Sequence, residues 1–124
     1  MSDRMEHRTI DTDIAYFRFL KGAGATDFHT MFPEFQALVE RPEIDKRVID
    51  IQMNDAWGGE IQDIWLQTGE FAEGAGIKRW GVVTPESSKK MTIRHLIKGG
   101  RARNRAYETY VSDSLDEVLQ WIRS

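Results

Sequence analysis

Apolar side chains recur along this chain with two periods, and each change of period marks the edge of an element. Two short stretches, around Arg8 to Thr12 and over Ile14 to Leu20, meet at the polar break Asp11-Thr12-Asp13. The second is mostly β-branched or aromatic and ends in Lys21-Gly22-Ala23-Gly24, so the pair predicts a β-hairpin. Beyond it, Phe28, Met31, Phe32, Phe35, Leu38 and Val39 are spaced to share one face of a helix. Two starts fit this helix. Thr26 or Asp27 suits an N-cap, whereas Pro33, which has no N–H and belongs best in a first turn, points to a regular part beginning near Thr30.

The alternation of strand and helix then repeats. Arg41-Pro42-Glu43 stops the helix, and Arg47 to Met53, apolar at Val48, Ile49, Ile51 and Met53, predicts a central strand. Asn54-Asp55-Ala56-Trp57-Gly58-Gly59 makes a loop, and Ile61, Ile64, Trp65, Thr68, Phe71 and Ala72 share the face of a second helix closed by Gly74 and Gly76. Ile77 to Val83 predicts a strand, Pro85-Glu86-Ser87-Ser88 a helix start, and Lys89 to Lys98 a basic helix ended by Gly99-Gly100. Ala106 to Val111 is the last predicted strand. Ser114-Leu115-Asp116-Glu117 has the capping-box form before a terminal helix that buries Leu115, Val118, Leu119 and Ile122. The order ββαβαβαβα places helical connections between successive strands. It predicts an α/β fold with a mixed sheet, mostly parallel, carrying an antiparallel N-terminal strand.

Length and composition narrow this picture. The 124 residues fit a single domain over residues 1–124, and 40% hydrophobic with 30% charged residues is ordinary globular usage. Cysteine is absent, which excludes a disulfide framework and thiol chemistry and fits the cytoplasm. Met1 to Arg8 is polar and mixed in charge, and no 18-residue apolar stretch occurs, so neither a secretion signal nor a membrane span is expected. The net charge of −3 conceals segregation. From Val48 to Ile77 the chain carries Asp50, Asp55, Glu60, Asp63, Glu70 and Glu73 without a Lys or Arg. From Ser87 to Tyr107 it carries Lys89, Lys90, Arg94, Lys98, Arg101, Arg103 and Arg105 without an acid. Such blocks read as solvated faces of adjacent helices or as a basic surface for an anionic partner. If the acidic and basic helices meet, within the chain or across a two-fold, their contact should weaken with salt.

The order of elements, together with the Val48 to Met53 strand ending in a polar loop, the segment Ile77-Lys78-Arg79-Trp80-Gly81-Val82-Val83 and the closing run Tyr110 to Ile122, resembles the SpoIIAA-like family of the STAS superfamily. The closing run is similar to the strand, acidic cap and amphipathic helix ending in Trp plus an aliphatic residue that closes many such domains. The resemblance covers nearly the whole chain and implies the SpoIIAA-like fold. In the classical members, antagonists of anti-sigma factors, a Ser or Thr at the start of the helix after the central strand is phosphorylated and governs partner binding. The matching stretch here, Asn54 to Gly59, has no hydroxyl residue, so that switch is not expected. Asp55 stands there either as a permanent negative charge or as a turn residue.

No catalytic constellation is legible. His7, His29 and His95 fall in separate segments without metal-ligand spacing, and Ser87 and Ser88 stand outside any nucleophile elbow. The glycine pairs form neither a dinucleotide fingerprint nor a P-loop. No catalytic residue, metal or cofactor is therefore expected, nor is nucleic acid, in an acidic chain without a binding motif. Ligands of open α/β sheets lie outside the carboxyl ends of the parallel strands, which selects two loops. The first holds Asn54, Asp55, Trp57, Gly58 and Gly59. The second holds Thr84, Ser87, Ser88 and Lys89, where a helix N-terminus with basic neighbours suits a small anion or a phosphate headgroup. The reading that follows is a non-enzymatic regulatory or interaction domain that contacts a protein partner or a second copy of itself through helix faces and the loop around Trp57. The alternative is a small anionic-ligand or lipid binder.

Overall fold

Runs of residues buried on both faces make the centre of the sheet. In the computed structural model, which describes residues 5–52, 59–84 and 108–124, β2 (Ile14–Phe19) is buried except at Arg18, β3 (Lys46–Ile51) except at Lys46, and β4 (Arg79–Val83) except at Arg79. Near-continuous burial of this kind belongs to parallel strands covered on both sides. β1 (Met5–Ile10) and β5 (Glu108–Ser112) carry more polar, more exposed residues and form the edges. The sheet runs β1-β2-β3-β4-β5, with β1 antiparallel to β2 and every other pair parallel.

Alternation divides the side chains between two cores. Ala15, Phe17 and Phe19, Ile49 and Ile51, and Trp80 and Val82 pack beneath α1 (Ala25–Leu38) and α2 (Gly59–Gly74), with Phe28, Met31, Phe35, Ile64 and Trp65 from the helices. Ile14, Tyr16, Val48 and Val83 face the other way, against Val118 and Ile122 of α3 (Leu115–Arg123). α3 lies so close to the sheet that a Cβ on Gly81 would collide with Val118 Cγ1. Its far end is held by Arg79, whose guanidinium donates to the carbonyls of Trp121 and Ser124 at 2.9 and 2.6 Å.

The hairpin turn is tied on two sides. Asp11 and Thr12 both adopt left-handed backbone, φ 56° and 73°. Asp11 accepts from Arg123 Nε at 2.6 Å, and Asp13 accepts from Lys46 Nζ at 2.7 Å. The latter bond is the main reason the Lys46 ammonium is held above the usual lysine range.

Several expectations shift on contact with the structure. α1 starts at Ala25, not near Thr30, and Pro33 lies inside it. Neither Thr26 nor Asp27 is its N-cap. Gly24 is, and the Asp27 carboxylate reaches back to the Gly24 N–H at 2.8 Å, giving the first turn a partner that a proline start would lack. The first hairpin strand runs Met5–Ile10 and not Arg8 to Thr12, because the left-handed turn already begins at Asp11, and the second ends at Phe19, one residue short of Leu20. At α3 only half of the predicted box forms: Ser114 Oγ accepts the Glu117 N–H at 3.2 Å, but the Glu117 carboxylate takes the Tyr110 hydroxyl instead. Ile77 and Lys78 precede β4 as connecting chain, and the last strand reaches Ser112. The basic helix predicted over Lys89 to Lys98 lies outside the described residues.

Candidate functional site

Parallel pairing of β3 with β4 sends the two predicted loops away from the same end of adjacent strands. Asn54, Asp55, Trp57 and Gly58 of the first loop, and Ser87, Ser88 and Lys89 of the second, lie outside the described residues. Gly59 opens α2, and Thr84 continues the chain from β4. Thr84 is fully buried. Its N–H donates to the Ser112 carbonyl at 2.9 Å, while its hydroxyl oxygen has no hydrogen-bond partner among the described residues.

The groups gathered where these loops depart are ones that sequence reasoning passed over. Asp50, the penultimate residue of β3, is 3% exposed. It accepts from the Tyr16 hydroxyl at 2.6 Å and from the Gln52 amide, and Arg18 Nε stands 3.9 Å away. Tyr16 and Arg18 lie on β2, and the register sets Arg18 directly opposite Asp50. Burial, then the hydrogen bond to Asp50 and the charge of that carboxylate, raise the Tyr16 pKa well above the ordinary tyrosine value. The phenol is therefore a settled donor at neutral pH, and Asp50 a carboxylate with its near partners fixed.

The first turns of the helices add a second pair at this end. His29 Nε2 of α1 lies 3.1 Å from Glu60 Oε1 of α2, both side chains exposed, so the bond ties two helix starts at the surface. Asp27 is buried and spent on capping Gly24. Among the described residues no group of His, Asp and Glu is arranged to hold a metal ion, and no helix is long and apolar enough to cross a membrane.

Comparison with known proteins matches the chain to no family model, no curated relative and no solved structure. The arrangement itself must then speak. On the opposite face of β3, Arg47 is fully buried, its guanidinium 4.4 Å from the Phe35 ring centroid and 4.5 Å from that of Trp80, with Met31 Sδ at 3.3 Å. β3 thus carries one buried charge to each side of the sheet. The signal for both was present in the sequence: a strand read as central has no solvent face, so Arg47 and Asp50 inside it had to be buried and partnered.

Proposed function

We propose that this chain is a non-enzymatic regulatory or interaction domain of SpoIIAA-like type, presenting the loop that holds Asn54, Asp55, Trp57, Gly58 and Gly59 to a protein partner. The observation that carries the reading is the commitment of the two acids buried at the carboxyl end of the sheet among the described residues to local bonds, Asp27 to Gly24 and Asp50 to Tyr16 and Gln52. Fixed in this way they shape a scaffold and anchor the loop's departure from β3, and they leave recognition to the loop itself. The sheet order with its antiparallel first strand, and a terminal helix on the face opposite α1 and α2, support the family resemblance on which the word regulatory rests. That step is analogy of fold. Affinity capture from the source lysate, comparing the native chain with Trp57→Ala, tests it. A stoichiometric protein retained by the native chain and lost from the variant supports the reading; equal recovery from both, or no stoichiometric protein from either, ends it.

A second reading, a binder of a small anion or lipid headgroup at Thr84, Ser87, Ser88 and Lys89, is favoured by the Thr84 hydroxyl, buried where the second loop begins with no hydrogen-bond partner among the described residues. Such a group is costly unless something bonds to it. Titration with inorganic phosphate, followed by the amide resonances of Thr84 and Ser112, distinguishes the two: saturable shifts support this reading and unchanged resonances remove it.

A further inference from the structure

The outer edge of β1 has no paired strand among the described residues, and its sequence is Met5-Glu6-His7-Arg8-Thr9-Ile10. Three consecutive ionisable residues on an edge ordinarily guard against pairing with stray strands. Here they guard against every central register but one. We infer that β1 pairs antiparallel with β1 of a second copy in a register centred on His7, joining two five-stranded sheets into one.

The pleat sets the choices. Antiparallel copies in a continuous sheet are related by a two-fold perpendicular to it, so residues facing each other must come from the same face and the axis must pass beside a residue. Centred on Glu6, the register sets Glu6 against Glu6. Centred on Arg8, it sets two guanidinium groups together, and like charges directly opposite are unfavourable. Centred on His7, it sets two imidazoles across the axis, which unlike a carboxylate or a guanidinium carry no obligatory charge, with Glu6 opposite Arg8 on both sides and Met5 opposite Thr9, and pairs the whole of 5–9.

The charges behind the edge continue the pattern. One row across the sheet runs Asp50, Arg18, Glu6, alternating in sign, with Arg18 3.8 Å from Glu6 and 3.9 Å from Asp50. The neighbouring row ends with Arg8 over the Tyr16 ring, 4.8 Å from its centroid. In the His7-centred register the first row of one copy runs into the second row of the other, so the sign alternates across the junction as well. His7 points to the other face, toward Glu34 of α1 at 3.5 Å, clear of this row.

The inference does not rest on the reading proposed above: a chain that stays monomeric yet captures another protein would overturn this one and leave that one standing. Its test is charge reversal read by sedimentation equilibrium, each variant first shown folded by circular dichroism. The native chain should have twice the monomer mass. Glu6→Arg alone and Arg8→Glu alone should each be monomeric, because each sets like charges opposite one another. An equimolar mixture of the two should regain the doubled mass, because both guanidinium groups of the first variant then face the two carboxylates of the second. A native chain monomeric at every concentration, single variants that dimerise as the native chain does, or a mixture that stays monomeric would each overturn the inference.

Discussion

The Tyr16 hydroxyl donates diagonally across the β2–β3 pair to Asp50 Oδ2 at 2.6 Å, joining two residues that are each 3% exposed. A buried carboxylate that loses such a donor keeps its desolvation cost without compensation. Tyr16→Phe should therefore lower stability by about 1.5–3 kcal/mol, the usual range for a hydrogen bond to a charged group, measured by urea unfolding. The folded pKa of Tyr16 is raised, so its contribution is whole below about pH 10, the ordinary tyrosine value, and fades as pH climbs beyond that toward the folded value. The gap between native and variant stability should stay level through neutral pH and narrow in alkali. A gap that widens above pH about 10 would contradict the assignment.

Gly81 is required by the seat of α3. A methyl group there would meet Val118 Cγ1, and the branched valine on a helix has little room to turn aside. Gly81→Ala should cost about 1–3 kcal/mol, as overpacking does, and combining it with Val118→Ala should cost less than the sum of the two single changes. Strict additivity in that double-mutant cycle would show that the two positions do not touch.

Thr12 holds φ 73° while exposed in the hairpin turn, a conformation that crowds a β-branched residue. Thr12→Gly should raise stability by about 1 kcal/mol, the strain relieved exceeding the entropy that glycine adds to the unfolded chain. A loss in thermal unfolding temperature would contradict that balance.

The described strands and helices and the parallel sense of the sheet were legible in the sequence because apolar period and turn residues are local signals. A competing local signal won at Pro33: a proline marks a first turn, but Asp27 folds back on Gly24 three residues before it and the helix starts more than a turn earlier. Long-range pairing, by contrast, hid the polar centre of the site. Asp50 stood in an acid-rich stretch and invited a solvated reading, and only the pairing of β2 with β3 shows it beside Tyr16 and Arg18. Of the residues picked for the site, Gly59 opens α2 and Thr84 follows β4, while the other seven lie outside the described residues.

Arg47 is held by shape as much as by charge. Its planar guanidinium lies between Phe35 and Trp80, a place that an ammonium does not fill. Arg47→Lys should destabilise the chain by about 2 kcal/mol, the scale of a desolvated cation–π contact, in urea unfolding followed by tryptophan fluorescence. An unchanged midpoint would mean that charge alone suffices there.

On the proposed function, the carboxyl end of the sheet divides into a bonded scaffold and a recognising loop, and substitutions at Asp50 and Trp57 separate the two. Affinity capture of the partner should be repeated with Asp50→Asn, which keeps an acceptor for Tyr16 and so preserves the fold by circular dichroism, alongside Trp57→Ala. Asp50→Asn should retain the partner at native stoichiometry and Trp57→Ala should lose it. Loss with a folded Asp50→Asn and retention with Trp57→Ala would contradict that division, and would move recognition from the loop to the buried carboxylate.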